Sequence, residues 1–220
     1  RADLEEIQKA GRRAAVLTQQ LLAFSRRQVL MPERLDLGHT LTGLREMLTR
    51  LVRADIALVY DLPATPATVH ADPAQVEQVI VNLVLNARDG LPAGGRIAIE
   101  VALVARAEIE PPADAPVTTV DYVRLRVSDD GANIPPESMA HLFEPFFAAK
   151  ELGRGTGLGL ASVYGIVRQS GGFVTVDSQN GRGTTFNVYF PAVPAGLADA
   201  AGRVDASEPA GGDETILLVE

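Results

Sequence analysis

The chain contains no cysteine. That excludes disulfides, zinc sites with thiolate ligands and cysteine nucleophiles. Histidine is scarce: His39, His70 and His141 are the only three, too far apart in sequence to read as a metal cluster. Apolar runs are short. None approaches the ~20 residues of a membrane-spanning helix, and no signal-peptide pattern opens the chain. The expected setting is cytoplasmic, with membrane anchoring of a longer full-length protein left open. Positive charge is in deficit as well. The net charge of −8 argues against general affinity for nucleic acid or anionic lipid. What is there is 220 residues, 46% of them hydrophobic, which suits one core of moderate size plus an appendage.

Glycine is concentrated where it is most informative. Gly153-Arg154-Gly155-Thr156-Gly157-Leu158-Gly159-Leu160 leaves the backbone with little side-chain cover, able to turn its N–H groups toward an anion. Leu158, Leu160, Val163, Ile166 and Val167 follow at helical spacing, so a helix is expected to open inside the run. A helix start suits a phosphate group. The run lacks the Gly-Lys-Ser/Thr of a Walker loop, and it stands too late in the chain for a dinucleotide fingerprint.

Leu4, Ile7, Gly11, Ala14, Leu17, Leu21 and Phe24 predict one long amphipathic helix, ending near Pro32, with a stripe suited to a partner helix. Leu41, Leu44, Leu48 and Leu51 mark a second helix, and residues 56–62 read as a strand. Asp72-Pro73 starts a third helix, with aspartate as N-cap and proline at the first helical position. Residues 95–104 and 119–128 read as strands, with a loop-like stretch at 107–117. Residues 173–177 and 184–190 read as a closing hairpin around Asn180-Gly181-Arg182-Gly183. Residues 192–213 turn to Ala, Gly, Pro and Asp and read as a linker. A new apolar strand then begins within 214–220.

On the third helix Val76, Val79, Ile80, Leu83, Val84 and Ala87 form an apolar face. Gln75, Gln78, Asn82, Asn86 and Asp89 share the other side. Asn82 and Asn86 stand one turn apart. A carboxamide oxygen is a neutral hard ligand for Mg²⁺ shared with nucleotide phosphates, although a solvated helix face is the commoner meaning. Ser128-Asp129-Asp130-Gly131-Ala132-Asn133-Ile134-Pro135 follows a strand. An aspartate there can accept from an exocyclic amine, although Asp, Gly, Asn and Pro also make plain turns.

The combination is more specific than its parts. Asn82…Asn86, Asp129-x-Gly131, Phe143-Glu144-Pro145-Phe146-Phe147, the glycine run, and Gly181-x-Gly183-Thr184 occur in that order. This resembles the ATP-binding domain of sensor histidine kinases, with its N, G1, F, G2 and G3 boxes. Leu21-Leu22-Ala23-Phe24-Ser25-Arg26-Arg27-Gln28 resembles the second helix of that family's dimerisation and phosphotransfer hairpin. The resemblance covers about residues 3–191 and is strongest to hybrid kinases of the kind that controls the alphaproteobacterial cell cycle. It implies a partial dimerisation domain at 1–34, an ATP-binding catalytic domain at 35–191, and the start of a truncated receiver domain at 214–220.

The implied fold is a two-layer α/β sandwich of a mixed sheet and helices, of the Bergerat type, preceded by a long helix. The implied chemistry is transfer of the γ-phosphoryl group of ATP, with Mg²⁺, to a histidine. Asp129 would hold the adenine amine, and Asn86 would coordinate the metal with Asn82 beside it. Gly155, Gly157 and Gly159 would let the lid approach the phosphates. Lys150, Arg154 and Arg88 are the candidates for phosphate charge. Thr184 would make a water-mediated contact beside the aspartate, and Phe146 and Phe147 would seat the lid. Asp89, Gly131, Ile134, Thr156, Leu158 and Leu160 complete the nucleotide set. The implied partners are a response-regulator receiver domain and, in the full-length protein, a second copy.

Three departures stand out. Asn133 replaces the second glycine of its box. At a position needing φ > 0 this would cost roughly 1 kcal/mol. Ala148 and Ala149 stand where threonines are frequent. The phosphoacceptor helix is expected to be missing, since none of the three histidines matches its motif. Asn133 and the Ala148-Ala149 pair support an alternative, a regulatory pseudokinase that binds nucleotide or partners without phosphoryl transfer. Chaperone or topoisomerase ATPases share the sandwich, but residues 143–147 and 21–28 argue against them, and Glu77 is not placed to activate water.

Overall fold

The computed structural model describes residues 30–91, 93–116, 118–147, 157–179 and 181–193. The long N-terminal helix up to residue 29, the final strand, and the linker from residue 194 onward lie outside those residues; residues 30–32 are not helical. Ala192 and Val193, expected to open the linker, instead belong to the folded domain: Ala192 bridges Val69 and donates to the Asp121 carbonyl, and Val193 N donates to the Thr68 carbonyl at 2.9 Å.

Two short strands, β1 (Glu33–Asp36) and β3 (Thr68–Ala71), form an antiparallel pair that sequence reading did not find. Each is only four residues long: β1 has no apolar alternation, and β3, which buries Val69 and Ala71, is too short for its alternation to be read as a strand. β1 begins two residues before the expected start of the catalytic domain.

Helix α1 (Leu37–Leu51) starts at Asp36, whose Oδ1 accepts from the Gly38 N–H at 3.0 Å. Its buried stripe is Leu37, Leu41, Leu44 and Leu48. Helix α2 (Pro73–Asp89) starts as expected: the Asp72 carboxylate accepts from Gln75 N at 3.2 Å and Pro73 opens the first turn. Its six buried residues are those of the apolar face read from sequence. Burying a side chain such as Ile80 or Leu83 completely contributes about 1.5–3 kcal/mol. One turn, α3 (Pro136–Met139), precedes α4 (Gly159–Gln169), which buries Leu160, Val163, Ile166 and Val167.

The main sheet is formed by β2 (Ile56–Asp61), β4 (Gly95–Val104), β5 (Tyr122–Asp129), β6 (Phe173–Gln179) and β7 (Gly183–Pro191). The strand order is β2-β4-β5-β7-β6. β2 runs parallel to β4 and the other pairs are antiparallel, so the sheet is mixed. Helices cover one side, giving the expected two-layer sandwich.

Register places residues in transverse rows. On the helix side one row is Val101, Leu125, Val188 and Val174, and the next is Ile99, Val127, Phe186 and Val176. The opposite side carries Glu100, Arg126, Asn187 and Thr175 in one row, with Glu100 paired to Arg124 as well. A small aromatic cluster of Tyr122, Phe173 and Tyr189 lies on this outer side under Ile109.

Candidate functional site

The apolar rows end abruptly. The next helix-side row is Ile97, Asp129, Thr184 and Ser178, which sets a carboxylate and two hydroxyls in line across β5, β7 and β6. Strand alternation makes this unavoidable once register is set, because every second residue must face the helices. Asp129 is 6% exposed and Thr184 3%. Buried polar groups at the rim of an apolar face are costly unless paired.

The chain leaves β5 in a tight turn in which Asp129 Oδ1 accepts from Gly131 N at 2.9 Å. Glycine is required at 131 by contact. A Cβ there would lie 2.3 Å from the carbonyl oxygen of Gly90, and the neighbouring Ala132 N–H donates to that same oxygen at 3.1 Å. The loop therefore rests on the last turn of α2. Gly183 meets a harder limit: its φ is +75° and a Cβ would stand 1.9 Å from the backbone oxygen of Asp129. Asp130 turns away and accepts from Arg96 N at 2.8 Å, tying the loop to the start of β4. Ile134 is buried, and its N–H donates to Ser178 Oγ at 2.8 Å.

Helices α2 and α4 pack antiparallel. Gln75 Nε2 meets Gln169 Oε1 at 3.5 Å near one end, and Asn82 Nδ2 donates to the Gly159 carbonyl at 3.3 Å toward the other. Asn82 thus connects the asparagine-bearing helix to the first turn of the glycine-run helix. Asn86 is half-buried one turn further along α2. Gly157 has φ +70°, and its carbonyl accepts from Phe146 N at 2.9 Å. Leu158 is half-buried at the helix start and Leu160 is buried. A cavity of about 200 Å³ lies at the opposite ends of the same helices, lined by His70, Asp72, Gln75 and Gln169 among others.

The structure thus gathers Asn82, Asn86, Asp129, Gly131, Ile134, Gly157, Leu158, Gly159, Leu160 and Thr184 around one end of the sheet and of α2 and α4. Lys150, Arg154, Gly155 and Thr156 lie outside the described residues. Arg88 is engaged elsewhere: its guanidinium donates to Asp89 Oδ1 at 2.7 and 2.9 Å and to the Leu51 carbonyl at 3.1 Å. It ties the ends of α1 and α2 together, with Asp89 as its counter-ion. Phe146 is 50% exposed with φ +67°, while Phe143 packs on the main core. Phe147 is half-buried, its ring centroid 5.6 Å from that of His141. Phe146 is the only non-glycine residue with positive φ among the described residues, so Asn133 carries no such strain.

Sequence reasoning missed Ser178, Asp130 and Gly90. Ser178 stands at two-residue spacing after Val174 and Val176, and extending that alternation would have placed it in the polar row.

A buried carboxylate above an apolar face, glycines that admit close backbone approach, and an amide, Asn82, on a helix start suit a flat base at one end and an anion at the other. The family of histidine kinase-, DNA gyrase B- and HSP90-like ATPases matches residues 71–194, which contain all of these features. The chain belongs to this family. Sensor kinase CckA of Brucella abortus is 44% identical over 99% of this chain and 24% of its own length. Sensor histidine kinase ZraS of Salmonella typhimurium is 33% identical over 63% of this chain and 26% of its own. The chain therefore spans about a quarter of the length of these curated relatives. Mycobacterial sensor histidine kinase MprB superposes with a TM-score of 0.58 at 27% identity, covering 74% of this chain and 99% of that one. Full-length ShkA in complex with AMPPNP gives 0.68 over 89% of this chain and 39% of that one; at 23% identity this shows the fold alone. Within the ATPase family, the chain is an ATP-binding catalytic domain of the sensor histidine kinase type.

Proposed function

We propose that this domain binds ATP with Mg²⁺ at the Asp129 end of the sheet, between α2 and α4, and presents the γ-phosphoryl group to a histidine that is none of His39, His70 and His141. The observation that carries the reading is the polar row: Asp129 is buried at the rim of an otherwise apolar face, with its loop packed on the last turn of the asparagine-bearing helix. A carboxylate fits the exocyclic amine of adenine, because it offers only acceptors. The apolar side chains around it, Ile97 and Ile134, suit the faces of a base. Asn86 offers an amide oxygen to Mg²⁺, which would neutralise phosphate charge when bound. Asn82 stands beside it, holding the start of α4. Thr184, next to Asp129 in the ladder, is placed for a water-mediated contact. Gly155, Gly157 and Gly159, with Lys150 and Arg154, complete the phosphate end.

In the transfer step an imidazole nitrogen forms a bond to the γ-phosphorus while the bond from that phosphorus to the β-bridging oxygen breaks. ADP leaves, and the imidazole proton passes to an acidic neighbour of the acceptor histidine. The domain's contribution is to position the phosphates in line with the acceptor. His39, His70 and His141 are exposed and match no acceptor motif. In a longer protein we infer dimerisation through the segment 3–30, whose sequence predicts an amphipathic helix, and onward transfer to a receiver domain, with the stretch after Val193 as the linker toward one.

Calorimetric titration with ADP and ATP, with and without Mg²⁺, tests the binding. Affinity that rises with Mg²⁺ is expected, and no heat of binding in either case overturns the reading. Incubation with γ-labelled ATP should leave the chain unlabelled until a polypeptide bearing an acceptor helix is supplied. Acid-labile label on any of its own three histidines would overturn the assignment.

A further inference from the structure

We propose that Ser178, on the edge strand β6, is a positioning residue for adenine recognition. Its hydroxyl and that of Thr184 act together as a staple that holds residues 132–134 and, through them, the Asp129 carboxylate. The inference rests on the adenine role proposed above for Asp129.

Ser178, Thr184 and Asp129 are successive partners across three strands on the helix side of the sheet. A serine hydroxyl has one proton and two lone pairs. One lone pair of Ser178 Oγ takes the Ile134 N–H at 2.8 Å. Its proton has two acceptors within reach, Thr184 Oγ1 at 3.1 Å and the Gly183 carbonyl at 3.4 Å, and the shorter contact favours Thr184. Thr184 Oγ1 then gives its own proton to the Ala132 carbonyl at 3.5 Å. The two hydroxyls thus take the donor at one end of the segment 132–134 and the acceptor at its other end. Gly131, the residue just before this segment, gives its N–H to Asp129 Oδ1. A shift of the segment would therefore be transmitted to the carboxylate through the Gly131 amide. Ser178 interrupts an apolar series of Val174 and Val176, and this network accounts for a hydroxyl at that position.

The test compares ADP with inosine diphosphate, whose base carries a carbonyl where adenine has its exocyclic amine. By calorimetry, Ser178→Ala should weaken ADP binding about fivefold and leave inosine diphosphate unchanged, the size expected for one hydrogen bond acting indirectly. Ser178→Thr, which keeps the hydroxyl, should restore ADP affinity to within about twofold of the parent chain. Equal losses for both nucleotides, no loss for either, or no rescue by threonine would overturn the proposal. Asp129→Asn is the control for the underlying reading. If it leaves the preference for ADP intact, the adenine assignment fails; if it abolishes the preference and Ser178→Ala does not reduce it, only the staple fails. Amide exchange in the parent chain needs no variant. Ile134 should be protected like the interior of β5, and exchange at open-loop rates would overturn the staple.

Discussion

Asp129 and Asn86 are both polar groups at the margin of the same core, yet they are held in different ways. Asp129 closes a strand. Its neighbours Thr184 and Ser178 are set by ladder register, its turn is closed by its own carboxylate, and Gly183 admits nothing larger beside it. Asn86 stands on a helix face whose place follows from packing of Val79, Leu83 and Ala87 beneath it. Across from α2, the first turn of α4 meets it where Asn82 donates to the Gly159 carbonyl. The proposed adenine end is thus defined by many short-range backbone constraints, and the proposed phosphate end by the juxtaposition of two helices. A strand register cannot shift by less than a whole residue, whereas packed helices can slide by fractions of an ångström. The base end should therefore be intolerant of backbone change, and the phosphate end more forgiving.

Glycine substitutions give the largest contrast. Gly183→Val should destabilise the domain by more than about 3 kcal/mol, because it places a branched side chain at positive φ against the Asp129 backbone. Gly159→Ala should change stability by no more than about 1 kcal/mol, since its nearest neighbour would be Asn82 at 3.7 Å and alanine favours helix. Thermal melts of the two variants decide it, and equal losses would erase the distinction.

Asp129→Asn should weaken ADP binding by about tenfold to a hundredfold, the range for a hydrogen bond to a charged group. Unchanged ADP affinity in calorimetry would remove the carboxylate from the base end. Asn86→Ala should act on the other end. It is expected to lower the gain in ADP affinity that Mg²⁺ provides while leaving metal-free affinity within about twofold, and an unchanged Mg²⁺ linkage would remove Asn86 from the metal site.

The smallest effect concerns the support below the base end. Arg53 donates to Asp55 at 3.0 Å and also reaches the Leu91 carbonyl just beyond α2. The hydrogen bond from Arg53 holds the Asp55 carboxyl below its ordinary value of 3.8. A depressed carboxylate pKa stabilises the folded state in full above the unfolded value, and the effect is lost as pH falls through the lower folded value. Asp55→Asn should lower Tm slightly at neutral pH, with the gap to the parent chain closing as pH falls below 3.8. A gap that persists in acid would show that the contact acts through something other than charge. Both groups are exposed, so the shift should be small.

Much of this was legible in advance, and the helices were the most legible part. The apolar face of α2 follows from spacing alone, since residues three and four apart share a face whatever surrounds the helix. The Asp72-Pro73 start, the strands at 95–104 and 173–177, and the order of the motif boxes were readable for the same reason: each is a local signal. β1 and β3 were not legible, because four-residue strands carry too little alternation and their pairing joins residues far apart in the chain. The contact of Arg88 with the Leu51 carbonyl was not legible either, because the two residues belong to different elements.

The sequence by itself determined which side of each helix and strand is apolar, where the helices start, and which residue types are available for a nucleotide. Only the tertiary structure decided that Asp129, Thr184 and Ser178 share one row, that Gly131 rests on the carbonyl of Gly90, and that Asn82 meets Gly159. The physical reason is range. Periodicity is a property of neighbouring residues, whereas register and helix juxtaposition are settled by packing between segments tens of residues apart, where one residue of slip would turn the whole polar row to the other face.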